Sequence, residues 1–116
     1  MHLRLNKRLV PQKEVLALLN IQSENKNRNF VGDVVYINQS GMAFDYIVFK
    51  EPLEFHINND CEVLIKGKCK PLISLPCRIR YDADSPSKSL IACIRRCDLE
   101  FLKPLSLREL ESILSA

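Results

Sequence analysis

A chain of 116 residues, 47% hydrophobic and 27% charged, is long enough for one core and too apolar for a disordered segment. Its net charge of +3 is too small to imply a nucleic-acid polymer as partner. No apolar run reaches the roughly 18 residues that a membrane-spanning helix needs.

The first residues are charged and lack the apolar stretch of a secretory signal. Five cysteines, at positions 61, 69, 77, 93 and 97, contain no C-x2-C pair, and His2 and His56 are not spaced to complete a zinc site. Free thiols fit a reducing compartment, so the expectation is a cytoplasmic protein with no metal and no cofactor. Cys77 and Cys97 sit within apolar alternation, where a thiol acts as a small hydrophobe.

In chain order, residues 1–13 hold Arg4, Lys7, Arg8 and Lys13 without an acid, which reads as a basic arm. Residues 14–116 then read as a single domain. Residues 15–21, V-L-A-L-L-N-I, form an apolar strand, and the following S-E-N-K-N-R-N reads as a hairpin turn. Strand character resumes over residues 30–37. Val31, Val35 and Ile37 share one face, and Phe30, Gly32, Val34 and Tyr36 the other. Gly32 inside the strand predicts a bulge or a close backbone approach. Gln39-Ser40-Gly41 predicts a turn, and residues 42–49 a further strand that carries Asp45.

Residues 52–60 read as a connection that contains His56 as a loop residue, followed by a strand to Lys66. Residues 75–81 alternate most regularly, with Leu75, Cys77, Ile79 and Tyr81 facing inward and Arg78 and Arg80 outward. D-A-D-S-P-S-K-S, from Asp82, reads as a polar loop. Residues 90–94 and 97–101 continue the β pattern. The end changes period: Ser106 and Glu109 form a capping box, and Leu107, Leu110, Ile113 and Leu114 make a helical stripe. These elements predict a mainly β protein, a small six-stranded antiparallel barrel with a C-terminal α-helix.

No catalytic constellation is present. Ser40 lies in no G-x-S-x-G elbow, neither histidine has a nucleophile nearby in sequence, and Asp82 and Asp84 are two carboxylates in a loop. The expectation is a binding protein, not an enzyme.

Two motifs resemble those of the PilZ family of small β-barrel domains. Arg4-Leu5-Asn6-Lys7-Arg8 matches the family's R-x-x-x-R, placed just before the first strand. Tyr36-Ile37-Asn38-Gln39-Ser40-Gly41 lies where the family has [D/N]-x-S-x-x-G, keeping the glycine while Tyr36 replaces the acid or amide and Asn38 the serine. The strands around Cys97-Asp98-Leu99-Glu100-Phe101 and the terminal helix extend the likeness over nearly the whole chain.

The resemblance implies a bacterial receptor for cyclic di-GMP whose arginine arm closes over the ligand and alters partner binding. Arg4, Arg8, Tyr36, Asn38 and Gly41 are the implied ligand-binding residues. An arginine fork suits both phosphate oxygens and guanine O6 and N7, and its plane stacks on a base. Tyr36 cannot offer a carboxylate to guanine; it either stacks or fills the site. The alternative is an adaptor that has lost the ligand and acts through protein contacts in motility, pilus or envelope control. A single-stranded nucleic-acid binder is a third reading, but it needs aromatics along a basic groove, and the chain has no Trp.

Overall fold

The computed structural model describes residues 7–23, 26–49, 51–68, 71–87 and 89–115. Six antiparallel strands form a closed barrel: β1 (Leu16–Ser23), β2 (Lys26–Ile37), β3 (Gly41–Ile47), β4 (Asp60–Lys66), β5 (Pro71–Asp84) and β6 (Ile94–Phe101). Their order around the barrel is β1-β2-β3-β6-β5-β4, and β1 pairs with β4 to close it. Closure leaves none of the six strands as an open edge. Helix α1 (Leu107–Leu114) follows β6. The mainly β fold, the strand count and the terminal helix are those expected from the sequence.

Period-two alternation fills the interior. Ala17, Leu19 and Ile21 of β1, Val63 and Ile65 of β4, and Leu75, Cys77 and Ile79 of β5 point into one core with Phe44, Leu99 and Phe101. Gly32 makes the close backbone approach that its place in a strand predicts. A Cβ there would lie 2.2 Å from the Asp45 carbonyl oxygen and 2.6 Å from the Phe44 ring.

Two strands depart from simple alternation. A register shift between Val34 and Tyr36 breaks the β2–β3 ladder, so Val34 opposes Phe44 whereas Tyr36 opposes Ala43. The extra residue reverses the faces beyond it. Ile37 is therefore fully buried while Val31, expected on the same face, is 54% exposed. Tyr36 turns outward, away from the face it was expected to share with Gly32 and Val34. A matching shift between Ile79 and Tyr81 of β5 leaves Tyr81 exposed and Asp82 buried, which corrects the inward placement of Tyr81.

Other boundaries also differ. The expected S-E-N-K-N-R-N turn is mostly strand: Asn20 and Asn29 face each other across the β1–β2 ladder, and Asn20 Nδ2 donates to Asn29 Oδ1 at 2.7 Å. Asp82 and Asp84 are the end of β5, not a loop, because Arg95 and Arg96 of β6 lie beside them. Leu90 and Ile91 are exposed and outside any strand; the Ser89 hydroxyl accepts the Ile91 N–H at 3.2 Å, bending the chain. In α1, the Ser106–Glu109 capping box forms as expected, and Leu110 and Ile113 are buried, but Leu107 is exposed.

A short 3₁₀ turn (Leu53–His56) closes the barrel end where β3 stops. The Tyr46 hydroxyl holds it, accepting the Leu53 N–H and donating to Asp82 Oδ1, each at 2.7 Å. Arg95 completes the cluster, its Nε 2.7 Å from Asp82 Oδ2. Burial, joined by the Asp82 carboxylate, pushes the Tyr46 phenol far above its ordinary pKa, so it stays a donor. Tyr46→Phe strands a buried N–H and one carboxylate lone pair, at roughly 1–3 kcal/mol for such a group. The expected loss is about 2–4 kcal/mol in urea unfolding, and a change under 0.5 would refute the bracing role.

His56, expected in a loop, is buried in this turn. Its neutral form is satisfied: Nε2 lies 3.3 Å from Glu51 Oε1, and Asn59 Nδ2 lies 3.4 Å from Nδ1. Burial, then the charge of Arg28, holds its pKa below the ordinary value despite Glu51, which Arg28 also engages. The unfolded chain therefore takes up the proton first as pH falls. The stability from neutral His56 is complete above the unfolded pKa near about 6.5 and is lost below it. His56→Gln should flatten the Tm-versus-pH curve between about pH 7.5 and 5.5 relative to the parent; parallel curves would exclude this assignment.

Candidate functional site

The β2–β3 connection builds the site from its own backbone. Asn38 Oδ1 accepts from Ser40 N at 2.9 Å, Ser40 Oγ at 2.9 Å and Gly41 N at 3.0 Å. This is an Asx-type turn, in which a short amide side chain mimics a backbone acceptor. Asn38 thus spends its oxygen internally, and its Nδ2 is the group left to reach outward. The same turn is tied to the segment before α1. Gln39 O accepts the Leu105 N–H at 2.9 Å, and Gln39 Nε2 donates to Leu105 O at 2.7 Å.

Gly41 begins β3 where the chain passes close to β6. A Cβ at Gly41 would sit 2.2 Å from the Leu99 carbonyl oxygen. A glycine is required here by the packing of two backbones, whether or not a ligand binds.

The basic segment lies against this turn. Leu9 and Ile37 exchange two backbone hydrogen bonds, at 3.0 and 2.8 Å. Gln12 N donates to the Leu114 carbonyl at 3.0 Å, so the same segment also touches the end of α1. Anchored this way, Arg8 places its guanidinium 4.5 Å from the centre of the Tyr36 ring. A cation–π contact at an exposed site contributes about 0.5–1 kcal/mol. Arg4, the other arginine of the motif, lies outside the described residues.

Tyr36 spans three strands. It opposes Ala43 of β3, which in turn opposes Asp98 of β6. Ala43 is fully buried yet outside the core cluster. Its small side chain lets the phenol pass over to Asp98 Oδ1, to which it donates at 3.1 Å. Burial, with Asp98 second, raises the Tyr36 pKa, so the hydroxyl remains protonated.

Arg8, Tyr36, Asn38 and Gly41 therefore meet around one open cavity of about 260 Å³, with Ser40, Met42, Asp98 and Glu100 on its walls. Four of the five residues expected from the sequence converge. The two carboxylates were not foreseen. Cys97-Asp98-Leu99-Glu100 alternates visibly in sequence, which places both acids on one outer face, but only the β3–β6 pairing brings that face beside the turn.

Arg78 and Arg80 stand apart from this cavity. Arg78 Nε lies 2.8 Å from Asp60 Oδ1, and Arg80 Nη1 lies 4.0 Å from Glu100 Oε1. Exposed pairs of this kind add little to stability. A larger groove, about 680 Å³, opens beside β2 and the end of β3, lined by Phe30, Val31, Ile47 and Phe49 with Arg28 and Glu51. It carries none of the motif residues. Among the described residues no group of three His, Cys, Asp or Glu is placed to hold a metal ion.

A closed six-stranded barrel, with its N-terminal segment laid on the β2–β3 turn and a helix after β6, is a PilZ-like fold. Two solved structures match nearly the whole chain. The PilZ domain of YcgR from Escherichia coli with c-di-GMP superposes with a TM-score of 0.63, over 92% of this chain and 82% of that one, at 10% identity. MrkH from K. pneumoniae in its apo state gives a TM-score of 0.63 over 93% of this chain, at 16% identity. This chain covers 48% of that protein, about half its length. No protein-family model and no curated protein matches the chain.

Removing the Asn38 acceptor tests the construction of the turn. Asn38→Ala should lower stability by about 1–2 kcal/mol, whereas Asn38→Asp, which keeps an acceptor, should lose less. Equal losses in denaturant titrations would mean that the three hydrogen bonds do not hold the turn.

Proposed function

We propose that the protein is a cyclic di-GMP receptor domain, with a binding role and no chemistry of its own. The observation that carries this reading is the posture of Arg8. Its guanidinium lies over the Tyr36 ring at the cavity, and among the described residues no carboxylate pairs with it, although Asp98 and Glu100 line the same space. An arginine whose N–H groups have no carboxylate partner among the described residues suits a phosphate or a guanine edge. Tyr36 supplies an aromatic face in place of the carboxylate that the PilZ motif has. Asn38 Nδ2 supplies a further donor on the cavity wall. YcgR's domain carries the same dinucleotide on the same fold. In this reading Arg4 joins Arg8 over the ligand, and closure of the arm changes the surface offered to a protein partner in the bacterial cytoplasm.

A second reading rests on a separate observation. The Tyr36–Asp98 hydrogen bond fills part of the site, and two carboxylates face the place where phosphates would lie. That arrangement fits an adaptor that works through protein contacts, in motility, pilus or envelope control, without the dinucleotide.

Isothermal titration with cyclic di-GMP at physiological salt separates the two. The receptor reading expects micromolar or tighter binding. Arg8→Ala should weaken it about tenfold to a hundredfold, the loss of one charge-assisted hydrogen bond, while Tm falls by only about 2–5 °C from the lost cation–π contact. Asp98→Asn should tighten it by removing a charge beside the phosphates. No heat, with no rise of Tm in excess ligand, overturns the receptor reading and favours the adaptor.

A further inference from the structure

Two cysteines face each other directly across the β4–β5 ladder. Cys61 is the register partner of Cys77, and their sulfurs are 3.5 Å apart. Directly opposed residues in an antiparallel pair have Cα atoms about 4.5–5.5 Å apart, inside the range of about 4.4–6.8 Å that disulfides span. Closing the bond needs a small movement of sulfurs and no change of backbone register.

The two thiols are not equivalent. Cys61 is the second residue of β4 and partly exposed, whereas Cys77 is fully buried in the core. A solute in water reaches Cys61 first. The sulfurs are close enough for one S–H···S hydrogen bond, which either thiol can donate; with Cys77 as donor it lowers the Cys61 pKa and raises that of Cys77. A thiolate is the reactive form toward peroxides, and the accessible sulfur is the one that a hydrogen bond from Cys77 activates. Cys93 is exposed but has no such thiol donor beside it among the described residues, and Cys97 is buried with its pKa pushed up, chiefly by burial.

We propose that Cys61 and Cys77 form a peroxide-reactive dithiol site, in which Cys61 takes the oxidant and Cys77 resolves it. The Cys61 sulfur attacks one oxygen of hydrogen peroxide. An S–O bond forms, the O–O bond breaks, and the departing hydroxide takes a proton to leave as water. Cys61 is then a sulfenic acid. Cys77 gives up its proton and its sulfur attacks that of Cys61; an S–S bond forms, the S–O bond breaks, and a second water leaves. Two thiols lose two electrons and one peroxide gains them. The product joins neighbouring strands, and since Cys61 is partly exposed and Cys77 fully buried, the order of events is set by burial. The site is separate from the arginine cavity and does not depend on the ligand reading.

The test is mapping of the intact chain after graded hydrogen peroxide, with free thiols alkylated under denaturing conditions before digestion. The proposal expects a Cys61–Cys77 disulfide to accumulate before Cys93 is modified, and reversal by a dithiol reductant. Fragment ions must separate Cys77 from Cys69, which shares its tryptic peptide because Pro71 blocks cleavage after Lys70. Cys77→Ala, a volume-conservative change for a core thiol, should trap the Cys61 sulfenic acid for labelling by dimedone. Cys61→Ser should leave Cys77 reduced at peroxide doses that fully oxidise the parent. Oxidation of Cys93 ahead of Cys61, a disulfide from Cys61 to any other cysteine, or overoxidation of Cys61 in the parent chain without a disulfide would each overturn it.

Discussion

The single extra residue in β2 decides what this barrel can present. Up to Val34, alternate side chains of β2 face the core opposite Tyr46 and Phe44; beyond the bulge the parity reverses. Without it, Tyr36 would be driven inward and Ile37 outward. With it, Ile37 seals the core and Tyr36 lies across the outer surface to Asp98. The platform under Arg8, the wall of the cavity and the docking of Leu9 on Ile37 all follow from that reversal. The bulge in β5, across β3 and β6 from that in β2, does the corresponding thing, sending Asp82 inward to meet Tyr46 and Arg95.

Among the described residues, the lining of the site carries more negative than positive charge. Arg8 brings one positive charge to a cavity whose walls carry Asp98 and Glu100. Asp98 is engaged by the Tyr36 hydroxyl and Glu100 stands near Arg80, so neither carboxylate is paired with Arg8. At physiological salt, charges separated by about 8 Å through water are screened substantially. Direct, geometrically matched contacts therefore count for more here than net charge.

The barrel was legible in the sequence wherever period two ran unbroken. Leu75, Cys77 and Ile79, and Cys97, Leu99 and Phe101, face inward as their spacing requires, and the Ser106–Glu109 box fixes the helix start. The bulges were not legible, because V-V-Y in β2 and I-R-Y in β5 contain nothing that marks one residue as surplus. Only pairing with β3 and β6 identifies it. The candidate site residues were picked out by resemblance to known motifs, and Arg8, Tyr36, Asn38 and Gly41 line one cavity. Asp98 is 62 positions from Tyr36 and was invisible as a neighbour until β3 and β6 were seen to pair. His56 and Asp82 escaped for a related reason: polar residues in turn-like sequence look solvated until a second element is packed over them.

The close passage of Gly41 against Leu99 has an evolutionary meaning. Any barrel with this β3–β6 spacing must keep glycine there, since a Cβ would meet a carbonyl oxygen that cannot move without unpairing the ladder. A lineage that abandoned its ligand long ago would still carry this glycine. Arg8 is under no comparable constraint from the core, being exposed on the surface. Across descendants of such a barrel, glycine records the fold, and the exposed arginine records the use to which the fold was put.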